Sequence, residues 1–167
     1  MAERVWDGAG LTRDEALSVL RSPEEALLEL LAAAYRLRRR AFGDKVQLNY
    51  LVNAKSGRCG EDCGYCSQSR VSTAPIEAYS LVSTDDLLAG AARAAEHGAR
   101  TYCIATSGRQ PAEAEWRQIC RTVAEIKRRF PLKVCVSPGL LSAEQARQLR
   151  SAGADRVNHN LNTSRAF

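Results

Sequence analysis

Long apolar runs are missing from this chain. No stretch of its 167 residues stays apolar long enough to cross a bilayer as a helix. The N-terminal Met1-Ala2-Glu3-Arg4 leads into a polar segment without the apolar core of a secretory signal. Repeats of solenoid period and low-complexity tracts are absent too, which excludes stacked-repeat architectures. Histidine is scarce, with only His97 and His159 in the chain. A His-rich metal site is therefore excluded, and no convincing nucleophilic triad can be assembled. There is no acidic excess, since 24 Lys and Arg stand against 19 Asp and Glu for a net charge of +5. A basic balance can indicate nucleic acid. Here the cations are scattered apart from Arg36, Arg38, Arg39 and Arg40, which end a helical pattern and complement its dipole. A solvated helix end is the expected role, with no nucleic-acid partner.

What is present fits a soluble globular protein, at 45% apolar and 26% charged residues. The most informative segment is Cys59-Gly-Glu-Asp-Cys63-Gly-Tyr-Cys66, a C-x3-C-x2-C spacing. Three thiols this close converge only if the loop wraps around something. Clustered thiols in a chain without an export signal are expected in a reducing cytosol, as metal ligands or catalytic groups rather than disulfides. Soft thiolates select zinc, copper(I) or an iron–sulfur cluster. A structural zinc normally takes four ligands, whereas three cysteines on a 4Fe–4S cluster leave one iron open to bind a substrate. The count favours a catalytic cluster. Zinc with a distant fourth ligand remains open, with His97 or His159 the candidates.

The hydrophobic pattern has two parts. Thr12-Arg-Asp-Glu15 and Ser22-Pro-Glu-Glu25 read as capping boxes opening two N-terminal helices. The second carries Leu27, Leu30, Leu31, Ala34 and Leu37 at helical spacing and ends at Gly43-Asp44. Strands are then predicted over 46–52, 100–105, 132–136 and 155–158. Helices are predicted between them over 83–98, 112–130 and 142–153. The helix at 112–130 would bury Trp116, Ile119, Cys120, Val123 and Ile126. Alternation of strand and helix predicts a parallel α/β sheet. Unusual residues fill the loops after the strands: the cysteine run, Ser107-Gly-Arg-Gln-Pro111, Ser137-Pro-Gly139 and Asn158-His-Asn-Leu-Asn162. Sites of α/β proteins lie at the carboxyl ends of strands, so these loops are expected to meet. The expected organisation is an N-terminal helical extension, 1–43, followed by the first half of a (β/α)8 barrel of TIM type, 44–167, since a whole barrel takes about 250 residues.

Cys103 and Cys135 fall on consecutive predicted strands. Neighbouring parallel strands lie about 4.8 Å apart, so the two thiols could ligate one centre. Both could equally be small buried hydrophobes. Cys120 reads as a packing residue.

The segment Asn53-Ala-Lys-Ser-Gly-Arg-Cys-Gly-Glu-Asp-Cys-Gly-Tyr-Cys-Ser-Gln-Ser69 resembles the cluster loop of radical S-adenosylmethionine enzymes. Tyr102-Cys-Ile-Ala-Thr-Ser-Gly-Arg109, Val134-Cys-Val-Ser-Pro-Gly-Leu-Leu141 and Asn158-His-Asn-Leu-Asn-Thr-Ser164 extend the resemblance, over about residues 15–167, to the biotin synthases among them. The resemblance implies that Cys59, Cys63 and Cys66 hold a 4Fe–4S cluster whose open iron chelates S-adenosylmethionine. It implies that Tyr65 lies near the adenine, that Asn160 and Asn162 lie near the ribose, and that Asn158 and Asn160 lie near the substrate. It makes Cys103 and Cys135 ligands of a 2Fe–2S cluster, whose third cysteine and arginine would lie beyond residue 167. The implied reaction inserts sulfur into dethiobiotin through a 5′-deoxyadenosyl radical. The implied partners are a flavodoxin- or ferredoxin-type electron donor and a second copy in a homodimer. Two residues depart from the family pattern. Gly60 stands where proline is frequent, and Asn162 where aspartate is frequent. The alternatives are another radical enzyme of the same branch, a non-catalytic iron–sulfur or zinc module, and an incomplete, inactive half.

Overall fold

A computed structural model describes residues 2–57 and 59–160. It divides into two compact units, Met1–Val46 and Gln47–Phe167. The first unit is helical. It holds α1 (Ala2–Trp6), α2 (Arg13–Leu20), a 3-10 turn (Glu24–Ala26) and α3 (Leu27–Phe42). The Thr12 capping box forms as its spacing predicts: the Thr12 hydroxyl accepts from Glu15 N–H, and Glu15 accepts from Thr12 N–H. The second expected box does not form. Ser22 donates its hydroxyl back to Ser18 C=O at 2.9 Å, and Pro23 opens the 3-10 turn without a side-chain cap. The α3 stripe is also narrower than its leucines suggest. Leu30 and Leu37 are half-buried, while Leu27, Leu31 and Ala34 are exposed. Neither α2 nor α3 contains a buried residue. Arg38 caps the end of α3 by donating to the carbonyls of Gly43 and Lys45. Arg40 instead lies over the Trp6 ring and donates to Trp6 C=O.

The second unit is a four-stranded sheet in the order β1-β2-β3-β4, all parallel. Its elements alternate: β1 (Asn49–Lys55), α4 (Thr84–Glu96), β2 (Thr101–Thr106), α5 (Glu113–Arg129), β3 (Lys133–Ser137), α6 (Ala143–Ser151) and β4 (Arg156–Val157). The fold class read from the sequence is therefore present. Its first strand is shifted: Val46 and Leu48 are exposed, and pairing runs from Asn49 to Lys55 against β2. Ser83 and Ser142 cap α4 and α6 with reciprocal boxes through Asp86 and Gln145.

One face of the sheet packs on the helices. Tyr102, Ile104, Val134 and Val136 meet Leu87 and Ala91 of α4, Trp116, Ile119, Val123 and Ile126 of α5, and Leu149 of α6. Thr122 is fully buried where Cys120 was expected; Cys120 stands half-buried at the edge of this core. The Tyr102 hydroxyl donates to Leu87 C=O, and burial pushes its pKa up to about 12. Gly90 makes room for it, since a Cβ there would lie 2.3 Å from the Tyr102 hydroxyl. Side chains alternate along a strand, so Leu51, Asn53, Cys103, Ala105, Lys133, Cys135, Ser137 and Arg156 belong to the face away from the helices.

Candidate metal centre

The cysteine loop leaves the carboxyl end of β1 and is tied at its neck. Ser56 and Tyr79 exchange backbone hydrogen bonds of 3.1 Å, and the Tyr79 hydroxyl donates to Asn53 C=O. Gly57 takes φ +67°, and a Cβ there would lie 2.8 Å from Ala78 Cβ, so a side chain would both strain the backbone and collide. Within the loop, Cys66 N–H donates to Cys63 C=O, Ser69 N–H to Cys66 C=O and Arg70 N–H to Glu61 C=O. These turns fold the run back on itself. Cys59, Cys63 and Cys66 are free, half-buried, and line one cleft of about 420 Å³.

The next two loops lock onto this one. Ser107 donates its hydroxyl to Gly57 C=O at 2.6 Å and its N–H to Lys55 C=O. Arg109 pairs with Glu61 at 3.2 Å. Gly139 adopts φ +85° and packs so tightly on Arg109 that a Cβ would lie 2.3 Å from its carbonyl oxygen. Leu140 N–H donates to that same oxygen. Gln68 braces the loop from inside: its carbonyl accepts from Gly57 N–H at 2.9 Å, and its amide reaches Asn53 Oδ1 at 3.5 Å. Sequence reasoning singled out neither Gln68 nor the Glu61–Arg109 pair. The available signal was a polar side chain two residues beyond the last cysteine, and opposite charges on two loops expected to meet.

The fourth loop completes the rim. Asn158 N–H donates to Val136 C=O, and His159 and Asn160 then line the cleft. The Asn160 amide donates to the Tyr65 hydroxyl at 3.3 Å, which joins two of the residues singled out from the sequence. Asn158 is exposed at the end of β4 and does not line the cleft. Asn162 lies outside the described residues.

His97 cannot serve the loop. It caps α4, its ring contacts Arg93 C=O, and it stacks on Tyr50 near the start of β1, at the opposite end of the strand. His159 is the histidine that shares the cleft. Among the described residues, no three His, Cys, Asp or Glu side chains stand as ligands of a single metal ion. A polynuclear cluster makes a different demand, because each thiolate takes its own iron and the sulfurs ring the group instead of meeting at a point. Soft, free thiols spaced around an open cleft suit that chemistry.

Cys103 and Cys135 are direct register partners on β2 and β3. Cys135 is buried and Cys103 half-buried. Burial first, then the hydrogen bond and charge of the Cys135 thiol, push Cys103 up to about 12. The Cys103 thiol therefore favours its protonated form, and a metal would have to displace that proton on binding. The scaffold beneath is braced by two ion pairs. Lys55 meets Glu115 at 2.8 Å, and Lys127 meets Asp155 at 2.9 Å. Burial opposes the charge on both carboxylates, but hydrogen bonds outweigh it and hold both below their ordinary range. Glu115 accepts from Lys55 and from Ala112 N–H; Asp155 accepts from Val134 N–H and Lys127.

The profile of the Radical SAM superfamily matches residues 54–166. Over 165 residues the chain is 52% identical to a biotin synthase of Anoxybacillus flavithermus, which covers 99% of this chain and 50% of that protein. It is 51% identical over 164 residues to a biotin synthase of Bacillus subtilis strain 168, covering 98% of this chain and 49% of the relative. The chain thus spans about half the length of the curated relatives it matches. The crystal structure of a methylornithine synthase superposes with a TM-score of 0.78 at 22% identity, over 93% of this chain and 45% of that one. That likeness speaks to the fold alone.

Proposed function

Since the chain belongs to the radical SAM superfamily, we propose that it carries the cluster-binding half of a biotin synthase, which inserts sulfur into dethiobiotin. In this reading Cys59, Cys63 and Cys66 hold a 4Fe–4S cluster, and Cys103 and Cys135 are two ligands of a 2Fe–2S cluster. One observation carries the second assignment: Cys103 and Cys135 stand side by side in register, on the sheet face away from the helices. A single-cluster enzyme has no need of that pair. Together the two clusters and S-adenosylmethionine supply one-electron cleavage, hydrogen abstraction from an unactivated carbon, and sulfur for the new bond.

The chain's own residues bind, orient and exclude water. Tyr65 presents a flat aromatic face to an adenine, and its hydroxyl is fixed by the Asn160 amide. Asn160 keeps its amide oxygen to accept from a ribose hydroxyl. Asn158, at the end of β4, is proposed to reach the ureido group of the substrate, and Asn162 to bond the ribose. Glu61–Arg109 and Gly139 hold the three loops in one piece, so the loop thiols keep their place when a ligand enters. The remaining ligands of the second centre would come from the part of the relatives' length that these residues do not span. No described helix is long and apolar enough to cross a membrane; the proposed setting is a reducing cytosol, with a flavodoxin- or ferredoxin-type donor and a homodimeric assembly.

Anaerobic reconstitution with iron and sulfide tests the reading, followed by incubation with S-adenosylmethionine, dithionite and dethiobiotin. Formation of 5′-deoxyadenosine and biotin is expected from the whole enzyme. A protein that takes up zinc but no sulfide would overturn the proposal.

A further inference from the structure

The register that joins Cys103 to Cys135 continues one strand further. Cys135 is itself the register partner of Arg156 on β4, and Leu51 is the partner of Cys103 on β1. Register partners share a face. One row across the sheet therefore reads Leu51, Cys103, Cys135, Arg156. Strand spacing is about 4.8 Å, so the Arg156 stem starts one strand from the Cys135 sulfur, within easy reach of a guanidinium. Arg156 is exposed, and its side chain makes no hydrogen bond or ion pair with any described residue. The charge on this face is one-sided. Its strand residues include Lys133 and Arg156 but no carboxylate. Asp155, the nearest acid in sequence, is committed to Lys127 and to Val134 N–H. Lys133 also acts on Asp155 through its charge, which leaves Arg156 as the cation in the same row as the two thiols, suited to an anionic, thiolate-ligated group.

We propose that Arg156 is a positioning residue for the centre at Cys103 and Cys135, donating hydrogen bonds to its sulfur atoms and offsetting its negative charge. This rests on the reading of those cysteines as 2Fe–2S ligands. Guanidinium is suited to the role. It is always charged, presents five donors in a planar fork, and is weakly hydrated compared with the ammonium of Lys133. Hydrogen bonds to sulfur and local charge set the reduction potential of such a cluster. A fixed positive charge favours the added electron, so its removal moves the potential to more negative values.

The test compares the whole enzyme as wild type, Arg156→Leu and Arg156→Lys after anaerobic reconstitution. The 4Fe–4S content serves as internal reference, and a circular-dichroism melt checks the fold. The 2Fe–2S to 4Fe–4S ratio in Arg156→Leu is expected to fall about tenfold, the lower end for loss of a ligand's hydrogen-bond partner. The 2Fe–2S that remains should titrate with dithionite at a more negative midpoint, and Arg156→Lys should restore part of that shift. A ratio and midpoint unchanged in Arg156→Leu would overturn the role of Arg156 while leaving the cysteine assignment standing. A wild type with 4Fe–4S but no 2Fe–2S would remove the cysteine assignment, and this proposal with it. If Arg156→Leu fails to melt cooperatively, the Arg156→Lys midpoint decides: a value identical to wild type contradicts the proposal.

Discussion

Cys59, Cys63 and Cys66 reach one cleft through a single loop, whereas Cys103 and Cys135 meet only because two strands pair in register. The loop thiols are half-exposed and held by short turns and a few anchors: Gln68, Ser107 and Glu61–Arg109. The strand thiols lie on a sheet whose opposite face is fixed by Trp116, Ile119 and the rest of the core. A locally built site can be lost by changing one residue without disturbing the fold. A site built by the sheet shares the fate of the sheet. The two centres should therefore respond differently to the same perturbation.

The largest expected effect comes from Cys63→Ala. It should abolish cleavage of S-adenosylmethionine, read as 5′-deoxyadenosine by chromatography, while the melting temperature stays within a degree or two. A variant that still cleaves at the wild-type rate would mean the loop thiols are not the ligands. Cys135→Ala should remove only half of the chemistry. 5′-Deoxyadenosine should still form in the whole enzyme, and biotin should not. Loss of both products with a lowered melting temperature would instead assign Cys135 to packing.

A third perturbation acts on the joint between the loops. Gly139→Ala places a Cβ against the Arg109 carbonyl at a positive φ. The strain should cost about 1–3 kcal/mol in chemical denaturation. Cleavage should suffer more than the 2Fe–2S content, because the displaced segment belongs to the cleft rim and not to β3. Equal loss of both would erase the distinction between the sites.

The smallest effect is a dependence on pH. Glu115 and Asp155 have folded pKa values below their ordinary 4.5 and 3.8. A depressed carboxylate contributes stability that is complete above its unfolded value and drains as pH falls through the folded one. Melting temperature should thus be level near neutrality and fall once pH drops below about 4.5, with Asp155→Asn flattening part of that slope. The exposed Glu61–Arg109 and Asp62–Arg70 pairs of the loop are open to solvent and salt, so they should add little. A slope unchanged in Asp155→Asn would remove Asp155 from the scaffold's account.

The order of elements was legible because apolar periodicity and capping residues agree in the second unit. Ser142 and Gln145 form the expected box, and Trp116, Ile119, Val123 and Ile126 face the core as spaced. Legibility failed where local and tertiary preferences part. Ser22 looks like a cap but bonds to the carbonyl of Ser18. β1 starts at Asn49 because its partner β2 sets the register, which no local pattern reveals. α1, five residues long, gives too short a period to detect. At the site, the cysteine spacing was visible, as was the likeness of the asparagine loop. The bracing by Gln68 and the lock between Gly139 and Arg109 were not, since each depends on a contact between distant loops. The Arg156 row belongs to the same class, as a one-residue slip in register would turn that side chain to the other face.

The central claim is that the two cysteine sets hold separate centres. Mössbauer spectroscopy of the iron-57-reconstituted whole enzyme, wild type beside Cys63→Ala, tests it most directly. Wild type should give both 4Fe–4S and 2Fe–2S signals, and Cys63→Ala should lose the first and keep the second. Loss of both signals together, or retention of both, would contradict the claim.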